Sequence, residues 1–314
     1  MRTDTGRISG GSYTHDLLLH DQDDEMVEGI RAFVGQGLAS GGQVLVHGTE
    51  ERVAVMRDAL GSRPRLEYGL DRDLYRSPSS TLFAYQRKMA ESPEPVELWA
   101  TGTVPLGDDS STRAGWSRYE SMVNEVLGSY AFHGLCTYDT QALPEATIEA
   151  AKATHPSVST GWRRAASPEY QHPADFLANP LAGVPDPPDS PPAVSATFRS
   201  LRDLWRARSL VRERAHLSEV PHETTEGLVS AANEILANGL EHGATPVELT
   251  LWVEPSRLTC RITDGGAGMQ DPLSGYRYPE PPDSSGLWVA RQMCEDVFVS
   301  NLPDGGCSVL LATA

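Results

Sequence analysis

The sequence predicts an α/β protein in two parts. An N-terminal three-layer α/β domain spans residues 12–165, a tether spans 166–195, and a C-terminal α/β sandwich spans 196–314. Three observations predict this. Before residue 165, short β-branched runs alternate with amphipathic helical spacings, as in a parallel sheet with crossover helices. Residues 168–192 hold eight prolines and little apolar periodicity, so they read as an extended, semi-rigid tether rather than an element. Beyond it, helical stretches precede an antiparallel run of strands, which layers helices on one face of a sheet.

In chain order, residues 43–48 (QVLVHG) form a strand after the turn Gly41-Gly42, and 50–60 continue as a helix. An amphipathic spacing recurs over 81–91. Residues 96–101 (VELWAT) read as a buried strand, 116–127 as a helix, and 131–138 (AFHGLCTY) as a second apolar strand. A helix over 144–153 carries Pro144 in its first turn. In the C-terminal part, 197–216 is expected as a helix with six arginines and an apolar face of Phe198, Leu201, Leu204 and Trp205. The arginines read as a solvated face, with partner binding as the sharper alternative. A long helix follows over 222–240. Residues 247–253 and 258–264 pair around Glu254-Pro255-Ser256, 269–284 form a loop, 285–295 a helix, and 297–300 with 307–312 the closing strands.

Composition excludes several function classes. Lys and Arg number 26 against 43 Asp and Glu, a formal net charge of −17. Only Lys88 and Lys152 are lysines, and neither follows a GxxxxG stretch, so no P-loop exists. The acidic balance argues against direct nucleic-acid or anionic-membrane binding. No apolar run approaches the ~18–20 residues of a membrane span. The polar N-terminus lacks an apolar signal segment, so the expected location is cytoplasmic. Cys136, Cys260, Cys294 and Cys307 form no CxxC pair and read as reduced core thiols.

The chemistry concentrates in the C-terminal part. Glu234, Asn238 and His242 recur at i, i+4 and i+8 on one helix, aligning a carboxylate, an amide and an imidazole. Asp264-Gly265-Gly266-Ala267-Gly268 closes a strand. Its carboxylate can accept from an exocyclic amine, and its glycines admit close backbone approach. Ser285-Gly286-Leu287 then opens a helix whose N–H groups suit an anion. In order, this layout is a nucleotide site that needs no lysine.

Residues 197–314 resemble the ATPase domain shared by gyrase, heat-shock chaperone, histidine-kinase and MutL-type proteins. ANEILANGLEHG resembles the N box, DGGAGM the first glycine box and SSGLW the second. Within that superfamily the segment is most similar to the RsbW-like anti-sigma factor serine-protein kinases. The resemblance implies a Bergerat-type α/β sandwich that binds ATP and Mg²⁺. It implies that Asn238 holds Mg²⁺, that Glu234 is the general base, and that Asp264 pairs with the adenine amine. Gly266 and Gly268 would shape the adenine pocket and Gly286 lie under the phosphates, with His242, Met269, Ser285 and Leu287 completing the set. The implied partners are a sigma factor and a STAS-type anti-anti-sigma protein, in a homodimer. Ser284-Ser285 departs from the Gly or Arg common before the second-box Gly-Leu. Without lysine, Arg277 and Arg291 are the candidate phosphate cations.

Two other readings stay open: a non-catalytic, ATP-binding partner-switching module, and a sensor histidine kinase. For the latter, His216 and Pro221 have the spacing of a phosphoacceptor box, but the Glu after His is missing.

Residues 12–158 resemble the MEDS sensory domain, through YTHDLLLH, FVGQGLASGGQVLVH, WSRYESMVNEVL and GLCTYDT followed by THP. A small organic ligand is what that resemblance implies. His15, His20, His47, His133 and Cys136 could share one side of the sheet. No pair has metal-ligand spacing, so satisfied core or surface histidines are the expectation.

Overall fold

A computed structural model describes residues 12–91, 96–107, 109–160, 163–178, 183–277 and 286–313. Compact packing divides the chain into two units between Gly183 and Val184. No helix among the described residues is long and apolar enough to cross a membrane.

In chain order the first unit comprises β1 (Thr14–His20), α1 (Asp23–Ser40), β2 (Gln43–Gly48), α2 (Glu50–Leu60), β3 (Leu66–Leu70) and α3 (Asp71–Leu74). Then come α4 (Pro78–Ala90), β4 (Leu98–Gly102), α5 (Ser110–Val126), β5 (Phe132–Asp139) and α6 (Glu145–Thr154). β6 (Ser157–Thr160), β7 (Arg163–Ala166) and α7 (Pro173–Leu177) finish it. Local chemistry sets the helix ends. Thr49 and Asp109 cap α2 and α5 by accepting from the Arg52 and Thr112 amides, and Ser77 with Ser80 forms a capping box ahead of Pro78. Gly41, at φ 85°, ends α1 in the left-handed conformation that costs glycine least.

The strands lie in the order β3-β2-β4-β5-β1-β6-β7. All pairings are parallel except β6 with β7. One core cluster joins α1 and α2 to one face of the sheet through Leu18, Ile30, Phe33, Val44, Met56 and Leu135. On the other face, α5 packs with α4, α6 and α7. This is the expected α/β architecture, with β1, α1, β3, α3, β6, β7 and α7 added to the elements read from the sequence.

The proline-rich stretch differs from expectation. Residues 173–177 form α7, with Pro173 in its first turn, and Phe176 is fully buried against Ala150 and Ala153 of α6. Further on, the Arg118 guanidinium donates twice to the Gly183 carbonyl, at 3.1 and 2.9 Å. An aromatic anchor within a Pro-rich run overrides composition, because burying one Phe outweighs the extended bias of its neighbours.

The second unit comprises β8 (Val194–Phe198), a 3-10 turn (Leu201–Asp203), α8 (Leu204–Ala215), α9 (His222–His242), β9 (Val247–Val253) and β10 (Leu258–Asp264). α10 (Gly286–Met293), β11 (Asp296–Asn301) and β12 (Cys307–Ala312) close it. The sheet order is β11-β12-β10-β9-β8, antiparallel throughout. α8, α9 and α10 share one core with its inner side chains, including Val211, Leu228, Leu236, Leu249, Cys260 and Leu311. This is an α/β sandwich.

The helix expected over 197–216 starts late. Residues 194–198 alternate Val, Ala and Phe with Ser and Thr, a period of two, and pair with β9 as an edge strand. α8 then buries Ala207, Val211 and Ala215 at i, i+4 and i+8, while Trp205 stays 64% exposed. Of the six arginines expected as a solvated face, Arg199, Arg202, Arg206 and Arg212 are exposed, while Arg208 bonds Asn233, and Arg212 grips Glu226 through two hydrogen bonds of 2.6 and 2.7 Å.

Phe176→Ala should cost the first unit about 3–5 kcal/mol in urea unfolding. A cost under about 1 kcal/mol would mean that α7 is not anchored.

Candidate functional site

The C-terminal site is built where the last turns of α9 pass the end of β10. A Cβ on Gly239 would lie 3.2 Å from Val247 and 3.6 Å from Asp264 Cβ, so helix and strand approach with little to spare. At Gly243 a Cβ would come within 2.5 Å of Asp264 Oδ1. The Asp264 carboxylate accepts from the Gly266 amide at 2.8 Å, which turns the chain out of β10 into the glycine loop. Cys307 lies on β12 opposite Asp264. Burial, and next the Asp264 charge, push its thiol up to about 11, so it is inert at neutral pH.

Asn238 sits one residue before this contact. A Cβ on Gly286, the first residue of α10, would stand 2.8 Å from Asn238 Nδ2, so the amide faces the opening turn of α10. Among the described residues the Asn238 side chain makes no hydrogen bond, which leaves its oxygen available to a ligand. Glu234, one turn earlier, is half-buried, with Asn233 Nδ2 at 3.5 Å from its Oε1. Asn233 is in turn held by Arg208 Nη1 at 2.7 Å. An Arg–Asn relay from α8 thus steadies the carboxylate.

Asn301 on β11 holds the glycine loop from the far side. Its Oδ1 accepts from the Met269 amide at 2.7 Å and its Nδ2 donates to the Met269 carbonyl at 3.0 Å. Gly268, at φ 79°, lets the chain bend there, and a Cβ on it would come within 2.7 Å of Asn301 Oδ1. Past the loop, residues 271–276 turn back onto α10. Gly275 packs on Leu287, and the Tyr276 ring lies 3.7 Å below the Arg291 guanidinium carbon.

The structure therefore gathers Asn238, Asp264, Gly266 and Gly286, sets Gly268 and Met269 in the clamped loop, and buries Leu287 in the core. Glu234 stands one turn from Asn238. His242 does not join them: its side chain is 79% exposed, and its ring nitrogen lies 3.9 Å from Glu241. At 100° per residue, eight residues rotate it about 80° from Glu234, far enough to leave the shared face. Arg291 is also displaced from the role expected of it. It is buried, stacks on Tyr276 and donates to the Val297 carbonyl at 2.8 Å, so it serves the core and not a phosphate. Arg277 is exposed. Ser284, Ser285 and the second half of the loop lie outside the described residues.

Sequence reasoning missed Asn233, Arg208 and Asn301. Asn233 sits beside Glu234 but off its face, and Asn301 contacts a loop 32 positions away. The only local signal was an asparagine just ahead of a Pro-Asp-Gly-Gly turn.

In the first unit, the histidines do not act as one set. His133 stacks on Trp99 with centroids 4.0 Å apart and bonds Thr14 Oγ1 at 2.9 Å. His20 and His47 are lowered by burial, His47 to about 4. His15 and Cys136 do converge, but on Glu120 and His155, which spacing had not suggested.

Two family models match the chain. The MEDS model, a methanogen/methylotroph DcmR sensory domain, matches residues 14–156, and the histidine kinase-like ATPase domain model matches 197–313. Comparison with curated proteins found no match. Among solved structures, the RsbU and RsbW domains of a Mycobacterium tuberculosis protein align at 18% identity. That alignment covers 40% of this chain and 32% of the other, with a TM-score of 0.30. The chain thus spans about a third of that protein's length, a likeness too slight to bear on either unit.

Asn301→Ala should free the Met269 amide, raising its hydrogen exchange about 2–12-fold, since a hydrogen bond of this kind holds about 0.5–1.5 kcal/mol. Unchanged protection would remove Asn301 as the clamp.

Proposed function

We propose that this chain, which joins a MEDS domain to a histidine kinase-like ATPase domain, is an ATP-binding anti-sigma regulatory factor. In this reading a sensory domain at 12–165 is coupled through the 166–195 tether, carrying α7, to an ATPase domain at 196–314. The family of the second domain implies ATP binding. The observation that carries the site is the convergence of Asn238, Asp264, Gly266 and Gly286 around the end of β10.

The adenine amine would donate to Asp264, on the carboxylate oxygen not committed to the Gly266 amide. The phosphates would meet the first N–H groups of α10, where the helix dipole favours negative charge. Mg²⁺ fits the donors present. Asn238 offers an uncommitted carbonyl oxygen, a hard ligand that would hold an ion keeping most of its own waters. When bound it would neutralise phosphate charge, which matters in a domain without lysine. Glu234 would accept the proton of a serine hydroxyl on a STAS-type anti-anti-sigma protein. The Arg208–Asn233 relay would hold that base in place. Control of a sigma factor would follow from competition between it and the antagonist. The −17 charge favours such protein partners over DNA.

One observation favours a second reading, ATP binding without transfer. Arg291, the buried cation of α10 itself, is spent on Tyr276 and Val297. Phosphoryl transfer relies on charge neutralisation as well as positioning, so ATP would then act as a structural effector of partner switching.

Asp264→Asn should weaken ATP binding about 10–100-fold, the worth of one charge-assisted hydrogen bond of about 1.5–3 kcal/mol. Unchanged affinity by calorimetry would discard the site. With labelled ATP and an antagonist, Glu234→Ala should lower transfer about 10²–10⁴-fold while ATP affinity holds. Equal labelling by both proteins would leave the non-catalytic reading.

A further inference from the structure

We propose that His15, Glu120, Cys136 and His155 form a closed, four-coordinate site for a divalent transition metal of the zinc class. The four side chains come from β1, α5, β5 and the residue that ends α6, and each offers one donor atom within 4.8 Å of the others. All lie in the layer between the sheet and its α5–α6 face. Room for them is made by Gly134, which pairs with His15 in the sheet: a Cβ there would meet the imidazole at 3.1 Å.

The distances match a coordination shell. Tetrahedral zinc with bonds of about 2.0–2.1 Å to nitrogen and oxygen and about 2.3 Å to sulfur sets neighbouring donors about 3.3–3.6 Å apart. Here His15 Nε2 lies 3.1 Å from Glu120 Oε2 and 3.5 Å from Cys136 Sγ. Cys136 Sγ lies 3.4 Å from Glu120 Oε2, and His155 Nε2 lies 3.7 Å from the same oxygen.

The hydrogen bonds facing away from the centre fix which atoms face inward. His155 Nδ1 is 2.7 Å from the Ala151 carbonyl, an acceptor only, so that nitrogen carries the proton and Nε2 a lone pair. Nε2 is fully buried, has no hydrogen-bond partner among the described residues, and points at a carboxylate. His15 Nδ1 lies 3.2 Å from Asn124 Oδ1. The Asn124 amide is oriented by its Nδ2, which donates to the Thr154, Glu120 and Ser121 carbonyls, so Oδ1 accepts and His15 also donates from Nδ1. Tyr138 takes the other carboxylate oxygen, Oε1, at 3.2 Å. Three buried acceptor atoms and a thiol therefore meet with too few protons among them. A dication between them resolves this, and its charge is balanced by one thiolate and one carboxylate. Both rings have the outer partner that metal-bound histidines use to set their tautomer. The thiolate selects a zinc-like metal over Mg²⁺ or Ca²⁺, and four protein ligands leave no open position, so the site is structural or sensory rather than hydrolytic.

The test uses the full chain, stripped with chelator and titrated with Co²⁺ as a spectroscopic stand-in. The expected result is about one equivalent bound, with tetrahedral d–d absorption and a thiolate-to-cobalt charge-transfer band. Cys136→Ser should abolish that band and weaken zinc at least about 100-fold, beyond the cost of losing an outer partner. His222→Ala, on an exposed helix end, should change neither. X-ray absorption on the zinc-loaded wild type needs no variant, and should show one sulfur and three nitrogen or oxygen neighbours. No cobalt uptake, a band that survives Cys136→Ser, or a shell without sulfur would each overturn the assignment.

Discussion

The close passage of α9 over the end of β10 governs the C-terminal unit. Leu228, Ala231, Ala232, Ile235 and Leu236 bury one stripe of the helix in the sheet's inner face. Gly239 then lets the next turn settle beside Asp264. Because the stripe fixes the helix's rotation, the positions offset from it are also fixed. Glu234 and Asn238 fall at the edge of the buried face, half-exposed, where a polar side chain is held yet reachable. The hydrophobic term supplies the free energy and the glycines supply the distance. A larger residue at 239 or 286 would lift the helix off the strand or press on Asn238.

The first unit rests on a different constraint. Glu120 is a fully buried carboxylate, and an isolated charge there would be prohibitively costly. Its surroundings answer that cost with a tyrosine and a thiol from β5 and two imidazoles, from β1 and the end of α6. Such a centre ties sheet to helices more tightly than apolar packing does, because each partner has a directional requirement. Two of the helices packed on the sheet enter this centre, α5 through Glu120 and α6 through His155 at its end.

Both units place chemistry at a junction between a sheet and a helix, by opposite means. In the ATPase domain, glycines clear space and leave polar atoms waiting for a ligand. In the MEDS domain, donors crowd together and leave no space. The first suits a diffusible, exchanging nucleotide. The second suits an occupant that stays.

Much of this was legible in sequence because the signals were local. The strand–helix alternation, the antiparallel meander, the nucleotide boxes and their order all depend on neighbours within a few residues. Asn238, Asp264 and Gly286 could be named before any coordinates, since each lies in a short string with its own physical role. Where local signals competed, the sequence misled. Thr197 and Phe198 read as the start of a helix because arginine and leucine follow them, and Val194 and Ser195 as tether, yet an exposed strand edge in β9 was waiting to pair with all four. Phe176 turned part of a proline-rich tether into a packed helix. Arg291 looked like a phosphate ligand until Tyr276 covered it. The cluster of His15, Glu120, Cys136 and His155 was invisible for the same reason. Its members are spread from residue 15 to residue 155, and only the parallel pairing of β1 with β5 beneath α5 brings them together. Periodicity and motif are properties of a chain segment and survive in the sequence. Which distant atoms meet is set by how segments pack, and that was decided only in three dimensions.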